Sequence, residues 1–122
     1  MTARRVVPNF RSDLSAASRE FYGDVLGFDV GMDMDWIVTF VSPSNPTAQL
    51  SLIREDASAH VHSDASIEVD DVDATHAKVV EQELEIVYAL TDEPWGVRRF
   101  FVRDPNGMVI NVMSHRSGSG AD

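Results

Sequence analysis

Ser66-Ile67-Glu68-Val69-Asp70-Asp71-Val72, running into Asp73-Ala74-Thr75-His76-Ala77-Lys78-Val79-Val80, reads as a short strand, an acidic turn and an amphipathic helix in succession. The same plan stands earlier, where Val6-Val7-Pro8-Asn9-Phe10-Arg11-Ser12-Asp13-Leu14 runs into Ser15-Ala16-Ala17-Ser18-Arg19-Glu20-Phe21-Tyr22. Asp13 falls on Asp71, Leu14 on Val72, Ala16 on Ala74 and Leu26 on Leu84. The identity is faint, but the pattern repeats. Neither half can bury its sheet face alone, so two such modules must combine.

An Asp or Ser cap starts the first helix, which then presents Leu14, Ala17, Phe21 and Val25 on one face. Gly27 supplies its stop. The second helix presents Val72, His76, Val79, Val80 and Leu84 in the same way. Residues 36–41 are rich in β-formers and end at Ser42-Pro43-Ser44-Asn45-Pro46, a turn cluster, with 49–53 as the returning strand. Residues 97–103 and 108–113 flank Asp104-Pro105-Asn106-Gly107, a turn that makes them a hairpin. Each half is therefore β-α-β-β with room for one more strand. Residues 55–64 read as a linker, and 117–122 as a flexible tail.

The chain has 122 residues, the size of one domain, placed here at 1–116 with modules at about 5–56 and 64–115. It has no cysteine, so disulfides and thiolate metal sites are excluded. No signal-peptide core and no membrane-length apolar run is present, which points to the cytoplasm. Ten basic residues face twenty acidic ones, for a formal charge of -10, and Lys78 is the only lysine. Such a surface repels nucleic-acid phosphates. Its plain meaning is solubility, and its sharper one is attraction of a cationic ligand.

Phe21-Tyr22-Gly23-Asp24-Val25-Leu26-Gly27-Phe28, the Asp104-Pro105-Asn106-Gly107 hairpin, and the second-module opening Ile67-Glu68-Val69-Asp70-Asp71-Val72 together resemble the glyoxalase/bleomycin-resistance (vicinal oxygen chelate) superfamily from about Arg5 to Ser114. Glu93-Pro94-Trp95-Gly96, followed by Arg98 and by Phe100-Phe101-Val102-Arg103-Asp104-Pro105, is similar to the corresponding stretch of bleomycin-resistance proteins, as is Val7-Pro8. The resemblance implies an α+β fold of two paired βαβββ modules forming a cupped mixed sheet, in a homodimer. It implies a pocket for a small organic molecule, and chemistries from isomerase and dioxygenase to plain drug sequestration. Fold alone does not choose among these.

Most enzymes of this superfamily hold a divalent ion with His, Glu or Gln at equivalent places on the modules, and such ligands leave positions open for substrate oxygens. Carried over, the first place falls on Val7 (Val6 if Asp13 sets the register), the second near Gln49, the third on Asp64 with His62 two residues upstream on the same strand face, and the fourth on Asn111. Valine cannot ligate, and asparagine is a poor replacement for glutamate. The expectation is therefore no metal and no other cofactor; Gln49, His62 and Asp64 are the candidates should a divalent metal bind. His60 and His62 alternate and could chelate together, but as polar residues of a linker they have a plainer reading. His76 reads as a packing residue on its helix, and His115 as lying near the chain end. Glu68 and Asp70 share a strand face, where a desolvated carboxylate could act as a base.

A symmetric turn over residues 104–107 pairs Val102 with Val109, Phe100 with Asn111 and Arg98 with Met113. The superfamily geometry turns Asn111 into the cup, so these six residues are the expected lining, while Phe101, Ile110 and Val112 back onto a helix. Asn9 and Arg11 join the lining by the first-strand register. Trp36 and Trp95 sit near the cup mouth, where an indole stacks on a flat or cationic ligand. A largely apolar wall with few polar groups suits a small molecule. The leading expectation is metal-independent sequestration of an aromatic or cationic compound. A metal-dependent lyase, isomerase or dioxygenase is the alternative, and a non-catalytic dimer with a vestigial pocket is the second.

Overall fold

The computed structural model describes residues 2–116; the expected tail at 117–122 lies outside them. Two βαβββ modules follow one another: β1 (Ala3–Arg11), α1 (Ala16–Glu20), β2 (Asp29–Met34), β3 (Ile37–Val41) and β4 (Gln49–Ile53), then β5 (Ala65–Val69), α2 (Val72–Glu81), β6 (Ile86–Asp92), β7 (Val97–Arg103) and β8 (Val109–His115). The strand for which the sequence left room is β2 in the first module and β6 in the second. The chain divides into two compact units, one of Val7–His62 and one that joins the chain up to Val6 to everything from Ser63 onward. No described helix is long and apolar enough to cross a membrane.

In the unit Val7–His62 the strand order is β2-β3-β4-β1. β1 pairs in parallel with β4, Asn9 opposite Ser51, and the other pairs are antiparallel. Val38, Phe40 and Leu52 form its core, closed by Leu14, Tyr22, Phe28 and Leu50. Ser15 caps α1 by accepting from the Ser18 amide at 3.2 Å. The helix does not continue regularly. Phe21–Val25 widens into a π-turn, with the Leu26 amide reaching back to Phe21 at 3.0 Å. The extra residue rotates the following side chains, so Tyr22 rather than Phe21 reaches Phe40. Phe21 and Val25, expected on the buried face, are 49% and 67% exposed. Leu14 does reach the core, but from outside the helix, at φ 59.

In the other unit the order is β5-β8-β7-β6, with the start of β1 beside β5. β5 and β8 are parallel, while β8/β7 and β7/β6 are antiparallel. Asp71 caps α2 by accepting from the Ala74 amide at 3.0 Å. The helix then buries Val72 and Val79 against Val69, Phe100, Val102 and Val112. His76 packs edge-on against Phe100, ring centres 4.9 Å apart. Val80 and Leu84, expected on the same face, are exposed.

The hairpin register differs from the expected one by a single residue. Arg103 pairs with Val109, Val102 with Ile110, Phe101 with Asn111, Phe100 with Val112 and Arg99 with Met113. The Asp104 amide bonds to the Met108 carbonyl at 2.8 Å and the Gly107 amide to the Asp104 carbonyl at 3.0 Å. With Gly107 at φ 85, this is a turn closed by a glycine bulge, which puts one more residue on the second strand than a symmetric loop would. A one-residue slip exchanges sheet faces. Arg98, Phe100 and Val102 therefore belong to the helix-covered face, whereas Arg99, Phe101, Val109, Asn111 and Met113 share the helix-free one.

Candidate functional site

The helix-free face of the C-terminal unit gathers most of its buried polar groups. At its β6–β7 end, Glu93 and Arg99 are 2% and 3% exposed and form an ion pair, Nε to Oε2, at 2.7 Å. The Tyr88 hydroxyl donates to the same oxygen at 2.8 Å. The guanidinium carbon of Arg99 lies 5.2 Å from the Tyr88 ring centre, 5.1 Å from that of Trp95 and 4.9 Å from that of Phe101. A desolvated cation gains from aromatic faces as well as from its carboxylate. The expected partner of Trp95 was an external ligand; one partner of its ring is the chain's own arginine.

Midway along the face, the Asn111 amide donates to the Ser66 hydroxyl across the β5–β8 pair at 2.9 Å. Asn111 is 8% exposed, and its Oδ1 is buried with no hydrogen-bond partner among the described residues. Such an acceptor costs about 1–3 kcal/mol until something donates to it.

Toward the far ends of β5 and β8, Glu68 receives the Arg5 Nε–H at 2.9 Å on Oε1 and holds His115 Nδ1 at 3.0 Å on Oε2. Burial pushes the Glu68 carboxyl up, but the His115 hydrogen bond and the Arg5 charge outweigh it and hold it below its ordinary value. Of the two readings of Glu68, a base raised by burial or a structural carboxylate, its partners favour the structural one by stabilising the charged form. His115 is no loose end. Alternation from Asn111 and Met113 along β8 brings it to the face of Glu68, which was the signal available in the sequence.

The remaining expected site residues scatter. Arg98 bonds to Asp73 of α2 at 3.0 Å and to Asp92 at 3.1 Å, clamping the helix side instead of lining a cup. Phe100 and Val102 are helix-side core. In the unit Val7–His62, Asn9 is buried on β1, Arg11 is exposed at its end, and Trp36 is half-buried in the β2–β3 turn. His62 and Asp64 lie in the loop before β5, not on a strand.

Of the four places where the resemblance would put metal ligands, Val7 and Asn111 are poor donors for a divalent ion. Val7 is buried and has no donor atom. Gln49 Nε2 donates to the Pro46 carbonyl at 2.8 Å. Asp64 Oδ2 accepts from the Val109 amide at 2.8 Å, and Asn111 is held by Ser66. His62, the neighbouring candidate, has its Nε2 3.0 Å from the Asn9 carbonyl. Among the described residues no three His, Cys, Asp or Glu side chains converge as a metal set would require.

The sequence model of the Glyoxalase/Bleomycin resistance protein/Dioxygenase superfamily matches residues 9–112. The chain belongs to that superfamily. No curated protein matches this superfamily member. Among solved structures it is similar to a glyoxalase/bleomycin resistance protein/dioxygenase superfamily member from Vibrio splendidus 12B01, with 25% identity, TM-score 0.67, and coverage of 93% of this chain and 99% of that one. It is also similar to a methylmalonyl-CoA epimerase from Streptomyces coelicolor, with 18% identity, TM-score 0.69, and coverage of 95% and 100%. The Mn(II)-bound glyoxalase from Novosphingobium aromaticivorans aligns at 21% identity and TM-score 0.64, over 92% of this chain and 38% of that one. The last two likenesses carry the fold alone.

Proposed function

We propose that this superfamily member binds a small organic compound without a metal, sequestering it in the manner of a drug-resistance protein. It would work in the cytoplasm, as a homodimer. The observation that carries this reading is Asn111: where the superfamily resemblance calls for a ligating glutamate, a buried carboxamide is tied to Ser66 and keeps one acceptor unpartnered. A donor that met that acceptor as the carboxamide turned outward would satisfy it with no ion present. Trp95, half-buried, supplies aromatic surface to the same unit, with Phe101 and Met113 buried beside it as an apolar backing. Because Arg99 already occupies the Trp95, Tyr88 and Phe101 rings, a flat aromatic ligand suits the face better than a cationic one.

The test is tryptophan fluorescence of chelator-treated protein titrated with flat aromatic compounds and a bleomycin-type glycopeptide. Saturable quenching without metal, weakened by Trp95→Ala and by Asn111→Leu, is the expected result. Quenching that appears only after a divalent ion is added would return the protein to the metal-dependent enzymes.

A further inference from the structure

A cavity of about 480 Å³ in the C-terminal unit is lined by Arg4, Arg5, Glu68, Asp70 and His115 among others. That volume lies within the ~300–1,000 Å³ of ordinary ligand sites. One wall is a fixed imidazole. Glu68 Oε2, 3.0 Å from His115 Nδ1, favours the tautomer with its proton on Nδ1, so the neutral ring offers the Nε2 lone pair. Nε2 has no hydrogen-bond partner among the described residues, and the His115 side chain is 30% exposed. Arg5 fixes the carboxylate from its other oxygen.

Both acids of the cavity already have partners in the protein. Glu68 holds Arg5 and His115, and Asp70 receives the Thr2 amide at 2.9 Å and the Thr2 hydroxyl at 3.3 Å. Arg4 makes no ion pair or hydrogen bond among the described residues. An acceptor lone pair and an uncommitted guanidinium on one cavity complement a carboxylate with a hydroxyl beside it. The chain's charge of -10 opposes any general attraction of anions, so recognition must be local.

We infer that this cavity binds a small 2-hydroxy carboxylic acid, the carboxylate on Arg4 and the hydroxyl donating to His115 Nε2. The site uses neither Trp95 nor Asn111 and does not depend on the metal-free reading above.

The experiment is an NMR titration of the full chain at pH 8, following the His115 ring resonances. The probes are mandelate, phenylacetate (the same acid without the hydroxyl) and benzylamine. Mandelate is expected to shift the ring saturably and to bind about tenfold more tightly than phenylacetate, the effect of one hydrogen bond whose loss leaves a site group unpaired. His115→Gln should erase that preference, and Arg4→Gln should weaken both acids alike. Equal binding of the two acids to the unmodified protein overturns the inference and needs no variant to fold. So does absence of a saturable response to mandelate, tighter binding of benzylamine, or a divalent ion that titrates the same ring stoichiometrically.

Discussion

Glu93 and Arg99, six residues apart across the β6–β7 turn, form an almost fully buried ion pair at 2.7 Å. Removing one partner of such a pair strands the other, which costs about 3–5 kcal/mol. Glu93→Ala is therefore expected to destabilise the protein by about that amount in urea unfolding. Tyr88→Phe, which deletes one hydrogen bond to the same oxygen, should cost about 1 kcal/mol. A Glu93→Ala cost near that of Tyr88→Phe would mean that water replaces the lost partner.

Two backbone positions predict opposite signs for exchanges with glycine. Gly107 closes the β7–β8 bulge at φ 85, and a Cβ there would meet nothing within 4 Å. Gly107→Ala should thus lose about 1 kcal/mol from backbone strain alone. Glu83, just past α2, holds φ 58 with a side chain that disfavours it. Glu83→Gly should stabilise by about 0.5–1 kcal/mol, the usual gain where a helix ends in the left-handed region. Thermal unfolding of both variants checks the pair of signs.

The same bulge separates what the sequence disclosed from what it withheld. Turn chemistry at Asp104-Pro105-Asn106-Gly107 announced the hairpin, and β-formers announced β3, β4 and β7 nearly to the residue. Whether Met108 joins the loop or the strand is settled by a bulge, and that one residue decides which phenylalanine faces the helix. Likewise Phe21-Tyr22 marked the family, but the π-turn that exposes Phe21 leaves no periodic signal. Glu93, Arg99 and Tyr88 meet through tertiary contact between charged and aromatic residues, which period-counting treats as surface. Arg5, Glu68 and His115 come from three strands, and their meeting requires the sheet order as well as the alternation.

Acid should weaken the protein partly through Glu68. Its partners hold the folded carboxyl below its ordinary value, so the folded state binds its proton less readily than the unfolded chain. The stabilisation is present in full above the unfolded carboxyl's pKa, about 4.3, and disappears as the pH falls through the lower folded value. Urea unfolding from pH 7 to pH 3 should show Glu68→Gln less stable than the parent at neutral pH, with the gap closing toward pH 3. A constant gap would assign the Glu68 contribution to packing instead.

The most direct test of metal independence is calorimetric titration of chelator-treated protein with Mn, Fe, Co, Ni and Zn ions, each followed by thermal unfolding. With Val7 lacking a donor and Gln49, Asp64 and Asn111 already hydrogen-bonded, no saturable stoichiometric binding and an unchanged midpoint are expected. One ion bound per chain, raising the midpoint in proportion to its affinity, would contradict it and place this superfamily member among the metal-dependent enzymes.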